Sequence, residues 1–216
     1  MAKIQLIIFD LDGTLVDAYA AVASSLNYSL KLVGCPPIDD DTIKRSVGWG
    51  DRNLLARFVP KEILEQALST YRQHHKEALI TGTKFLPNAE RVLRKLKEEK
   101  YLLAIASNRP KPFTNIILKY LNVLDCFDVV LCADEVAHPK PAVDILLEVL
   151  SRLQMSKDQT LYVGDMPIDV QAAKAADLRA VTVATGSCTQ QELLEAKPFK
   201  MLEQVGELLD FLSESQ

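Results

Sequence analysis

The sequence has no surplus of positive charge. Its 25 Lys and Arg are outnumbered by 29 Asp and Glu, giving a net charge of −4 and a pI near 5.5. The longest block of like charge is Asp39-Asp40-Asp41. A nucleic-acid partner is therefore not expected, because such binding needs a basic patch or stripe. Paired cysteines are missing too. Cys35, Cys126, Cys132 and Cys188 are scattered, with no CxxC and no neighbouring His pair. That excludes the usual zinc and disulfide frameworks and fits reduced thiols in a cytoplasmic protein. Long apolar runs are absent as well. The first one, Ile4–Phe9, is too short for a signal-peptide core or a membrane span, and no longer one follows, so no membrane association is expected. Repeats and low-complexity tracts are absent. Tryptophan occurs once, as Trp49.

What is present is ordinary globular material. The chain has 216 residues, 48% hydrophobic and 25% charged. That suffices for one large α/β domain, or for a core with a small insert. A chain of this size buries enough surface to need no staples. The runs Ile4–Phe9, Tyr101–Ala106, Val129–Cys132, Thr160–Val163 and Ala180–Ala184 are rich in Val, Ile and Leu, without polar alternation. Parallel strands buried on both faces read this way. Between them, Ala89, Val92, Leu93 and Leu96 make a helical stripe, and Ala142, Ile145, Leu146, Val149, Leu150 and Leu153 make another. Strand and helix in alternation predict a Rossmann-like, doubly wound parallel sheet.

One stretch breaks the alternation. From about Asp17 to Gly82 only helices are expected: Ala18–Val33, Asp40 to Gly48, one after Asp51, and one from Pro60 to about Leu79. Asp, Pro and Gly stand where caps want them. A helical piece inserted after the first strand lies above the carboxyl ends of the sheet, where ligands bind. It reads as a small all-α cap domain or lid. The expected division is a core of 1–16 and 83–216 with a cap of 17–82.

Three strand ends carry polar chemistry. In Phe9-Asp10-Leu11-Asp12-Gly13-Thr14 an apolar strand ends in two carboxylates and a glycine. Two carboxylates in one pocket can divide the roles of nucleophile and acid/base; an Asp-Gly turn is the plain alternative. Ser107-Asn108 closes a second strand, where hydroxyl and amide could donate to phosphate oxygens or merely cap a helix. Lys140-Pro141 precedes a helix; a lysine there could neutralise an anion or be a surface residue. Gly164-Asp165 ends a third strand, and Asp169 follows on the first helical turn. Magnesium takes one or two such carboxylates with phosphate and water; helix capping is the alternative. The joint order of these endings carries more than any one of them.

That order resembles the haloacid dehalogenase superfamily of phosphohydrolases, and the likeness covers nearly the whole chain. Asp10-Leu11-Asp12-Gly13-Thr14-Leu15-Val16-Asp17, Val47-Gly48-Trp49-Gly50 and Ser107-Asn108-Arg109-Pro110 resemble its phosphoglycolate phosphatase branch. The resemblance implies a magnesium-dependent phosphatase acting on a small phosphate ester. In it Asp10 is nucleophile and metal ligand. Asp12 is the acid/base and binds metal through its backbone carbonyl. Ser107 and Lys140 hold the phosphoryl group with Asn108 beside them, and Asp165 completes the metal ligands. Asp169 orients Lys140 or a water on the metal. Trp49 and Arg52, in the turn between two cap helices, are candidates for substrate selection. Two departures stand out: Met166 replaces a frequent hydroxyl residue, and Asp177 replaces a glycine at a left-handed position. A phosphomutase of the β-phosphoglucomutase type and an inorganic pyrophosphatase are the alternatives within the superfamily. A receiver-like phospho-acceptor module is the alternative from another class, but it needs neither a helical cap nor an acid/base like Asp12. A monomer or homodimer is expected.

Overall fold

The first apolar run ends up in the middle of a sheet. The computed structural model describes residues 3–214. The chain begins with β1 (Leu6–Phe9) and a two-residue strand β2 (Val16–Asp17). Four helices follow: α1 (Tyr19–Leu32), α2 (Asp40–Ser46), α3 (Asp51–Ala56) and α4 (Leu64–Gly82). After β3 (Lys84–Phe85) the alternation resumes with α5 (Ala89–Glu98), β4 (Leu102–Ser107), α6 (Lys111–Tyr120), β5 (Val129–Cys132) and α7 (Asp144–Leu153). It ends with β6 (Thr160–Gly164), α8 (Pro167–Ala175), β7 (Arg179–Val183), α9 (Gln190–Glu195), β8 (Lys200–Leu202) and α10 (Leu208–Glu214).

Six strands form one parallel sheet in the order β5-β4-β1-β6-β7-β8. All five expected strands are in it, with ends shifted by at most two residues. β8 was not foreseen, and neither was the β2–β3 ribbon. The period of two sorts β1 cleanly. Ile7 and Phe9 join a core with Leu103, Ile105, Val92, Leu93, Leu96 and Ile117. Leu6 and Ile8 join the other core with Ala104, Ala106, Leu146, Val149 and Val170. Helices thus cover both faces, which is why the strands carry no polar alternation.

The inserted helices have a core of their own, including Leu26, Leu30, Leu55, Ala67 and Tyr71. α1 packs along α4, and α4 also touches α6 of the main body. α2 starts at Asp39, whose side chain accepts from the Thr42 N–H, an ordinary N-cap. The long helix begins later than Pro60, because Lys61–Ile63 forms a 3₁₀ turn first. Asp177 adopts φ 57 after α8, the left-handed geometry that aspartate tolerates. Among the described residues no helix is long and apolar enough to cross a membrane.

Candidate active site

Adjacency in the sheet gathers the site. Phe9 pairs with Ile105 on one side and Val163 on the other, so the chain leaves β4, β1 and β6 at one edge. Asp10, Ser107 and Asp165 therefore line one cleft, at a place where the strand order diverges from β1. All three are buried. Gly13 (φ 80) lets the chain turn back under the cleft, and a Cβ at Gly13 or Gly186 would collide with the Asp165 carboxylate.

Lys140 arrives from the loop before α7 and is almost wholly buried. Its ammonium lies 2.9 Å from Asp10 Oδ1 and 2.8 Å from Asp169 Oδ1, and it donates to the Tyr162 hydroxyl at 2.9 Å. All three of its donors are engaged. Burial works against its charge, but Asp10 and Asp169 outweigh that and raise its pKa. Asp169 is saturated by the protein. Oδ1 accepts from Lys140 and Tyr162, and Oδ2 accepts from the N–H groups of Asp165 and Met166. Helix capping and lysine orientation, alternatives in the sequence, coexist here.

Asp165 is different. Oδ1 accepts from the Thr14 hydroxyl at 2.9 Å, but Oδ2 is buried without a hydrogen-bond partner. A native protein seldom leaves such an atom orphaned. Asp10, Asp165 and Asp169 each offer an oxygen within 4.8 Å of the others. Ionised, these three carboxylates facing the Lys140 ammonium leave two negative charges unbalanced. Burial raises the pKa of Asp10, more than Lys140 lowers it, and burial with repulsion from Asp10 and Asp169 raises that of Asp165. A hard divalent cation with oxygen ligands relieves both the charge and the orphaned atom.

Other expected residues are placed differently. Asn108 is buried, and its amide does not face the cleft as a free donor. Nδ2 donates to the carbonyls of Gly48 and Lys140 at 3.0 and 2.9 Å, and Oδ1 accepts from the Lys140 N–H. Asp12 reaches the cleft, but its side chain is held by Arg109, with Nε donating to Oδ2 at 2.7 Å and Nη2 to Oδ1 at 2.8 Å. Gly48 and Gly50 line the cleft, whereas Trp49 and Arg52 do not. Arg52 pairs with Glu65 on the surface, and Trp49 is 38% exposed. The turn comes close to the main body, since a Cβ at Gly48 would strike Met166.

Several participants were not singled out from sequence: Thr14, Tyr162, His75 and the pairing of Arg109. Arg109 was visible as part of the Ser107–Pro110 turn, but its partner lies 97 residues away. His75 sits on the buried side of α4, where it reads as an ordinary core position.

Known proteins share this arrangement of sequence and fold. The profile of the family described as haloacid dehalogenase-like hydrolase matches residues 7–183. A phosphoglycolate phosphatase of Aquifex aeolicus is 30% identical over 182 residues, 84% of this chain and 85% of that one. A phosphoglycolate phosphatase of Psychrobacter arcticus is 29% identical over 219 residues, 96% and 95% of the two chains. The crystal structure of a protein described as a predicted phosphoglycolate phosphatase, from Haemophilus somnus, has a TM-score of 0.92 at 24% identity. It covers 98% of this chain and 99% of its own, and at that identity the shared property is the fold.

Proposed function

The chain belongs to the haloacid dehalogenase-like hydrolases, and from that premise we propose that it cleaves a small 2-phosphoglycolate-like monoester, with magnesium, through an aspartyl-phosphate on Asp10. Phosphoric monoester hydrolysis follows from the family and from the buried aspartate cluster. The observation that carries the rest is the orphaned Asp165 Oδ2 beside Asp10 and the Lys140 ammonium. The substrate class is supported by the relatives that are phosphoglycolate phosphatases.

Asp10 and Asp165, with the Asp12 backbone carbonyl, would hold magnesium, which would supply neutralising charge for the phosphate dianion. The chain does the remainder. An Asp10 oxygen bonds to phosphorus as the ester O–P bond breaks, and Asp12 gives its proton to the departing oxygen. Lys140, fixed by Asp169 and Tyr162, keeps its charge beside the phosphoryl oxygens, and the Ser107 hydroxyl donates to them. A water then loses a proton to Asp12 and bonds to phosphorus. The Asp10 O–P bond breaks and inorganic phosphate leaves.

The helical insert, 17–82, serves as the lid over a core of 1–16 and 83–216. The β2–β3 ribbon, with Asp17 opposite Lys84, supports that boundary. Scattered free cysteines support a cytoplasmic setting.

A panel of phosphate esters, assayed with magnesium and with chelator, tests this reading. Asp10→Asn should fold normally and lose turnover by at least about 10³-fold, the scale for removing a nucleophile. Phosphate trapped on Asp10 by acid quench should be found by peptide mass. Retained activity in Asp10→Asn sinks the mechanism.

A further inference from the structure

We infer that Arg109 determines specificity by binding the second, non-transferred anionic group of the substrate. This rests on the reading of the cleft as a phosphate-ester site and names what holds the other end of the ester. Arg109 is the one cation among the residues lining the cleft, whose acidic members are Asp10, Asp12, Asp51 and Asp165. A substrate with a carboxylate near its phosphate must find a positive partner there or be repelled.

The guanidinium is built in rather than draped over the surface, with its side chain 8% exposed. Nε and Nη2 fork onto Asp12, and Nη1 lies 2.8 Å from His75 Nε2. Nη1 only donates, so Nε2 is bare and the ring proton sits on Nδ1. That nitrogen faces the Ser25 hydroxyl at 3.0 Å. Ser25 in turn donates to the Ala21 carbonyl at 2.8 Å. Burial first, and then Arg109 itself, push the His75 pKa down to about 2, so the ring stays a neutral acceptor. Three of the five N–H bonds of a guanidinium are thus engaged. One N–H on each terminal nitrogen remains. Two free donors on a fixed planar cation suit a carboxylate.

The test compares 2-phosphoglycolate with ethyl phosphate, which keeps the ester and lacks the carboxylate. Wild-type protein should prefer 2-phosphoglycolate in kcat/KM. Arg109→Gln, of similar reach but uncharged, should cut that preference at least about tenfold, mainly through KM, the scale of a lost charge-assisted hydrogen bond. Arg109→Lys should fall between, since it restores charge without the fork. Because the readout is a ratio between two substrates in one preparation, partial unfolding of a variant does not move it. An unchanged ratio in both variants, with Asp10→Asn inactive, overturns the role of Arg109 alone. A wild type that prefers ethyl phosphate, or shows no Asp10-dependent turnover on either ester, overturns the underlying substrate reading as well.

Discussion

Asp10 and Asp165 are buried beside each other with Lys140 as their nearest positive charge, and this has a consequence for stability. Burial above all moves Asp10 up from 3.8 to about 6, and Asp165 goes up in the same direction. A carboxyl whose pKa rises on folding favours the folded state fully below its ordinary value. That contribution is lost as pH rises through the folded value. Metal-free protein should therefore lose melting temperature as pH climbs from about 5 to about 8, and magnesium should raise it more at about pH 8 than at about pH 5. Thermal melts with chelator and with magnesium at the two pH values check this. A magnesium effect of equal size at both, or none at either, contradicts a metal bound by these carboxylates. Lys140 belongs to the same balance, because its charge is what keeps the metal-free cluster from being worse.

Elements differ in how plainly they announce themselves. β1, β4, β5, β6 and β7 were legible because both faces are buried, so nearly every position must be apolar. β8 is three residues long with Lys200 exposed, and β2 and β3 have two residues each, too few for any period to show. The polar strand ends were legible for the same reason as the strands: Asp10, Ser107 and Asp165 interrupt apolar runs. The pairings Asp12–Arg109 and Arg109–His75 were not, since they join separate elements and leave no local pattern. Arg52 misleads from sequence alone, because its neighbours do not reveal that Glu65, one helix on, captures it. Asn108 shows how an element's end can be structural and still matter to the site. It ties both backbone groups of Lys140 and the carbonyl of Gly48 to the end of β4. Asn108→Ala leaves those buried groups unpaired, which costs about 1–3 kcal/mol, and it frees the loop that positions Lys140. Urea denaturation should show the loss, and kcat should fall with it. A variant of unchanged stability and unchanged kcat would mean that the loop holds Lys140 without Asn108.

Across the whole molecule the insert meets the main body through a few polar ties. Two are at the cleft: Gly48 to Asn108, and His75 to Arg109. Another is remote from the chemistry. Arg45, on α2, donates to both oxygens of Glu192 on α9 at 2.7 and 2.9 Å and to the Ser187 carbonyl at 2.6 Å. If the insert opens to admit substrate and closes over it, this tie belongs to the closed form. Breaking it shifts the balance without touching a reacting group. The pair is exposed, with side chains 49% and 39% accessible, so its effect is modest and screened by salt. Glu192→Gln should raise KM a few-fold and leave kcat within a similar margin. Added salt should raise the wild-type KM toward the variant's value and change the variant less. Trp49, on the turn that meets Met166 and the only tryptophan in the chain, offers a second readout. Its quenching by acrylamide should increase in Glu192→Gln without substrate. The Arg45 pair, more than any other partner, pulls the Glu192 pKa down to about 2. Its contribution is therefore complete above the ordinary glutamate range and fades only as pH falls toward about 2. Across a neutral assay window the KM difference between wild type and Glu192→Gln should not depend on pH. Equal KM values, equal salt response and equal quenching in the two proteins would show that the closed form does not depend on this tie.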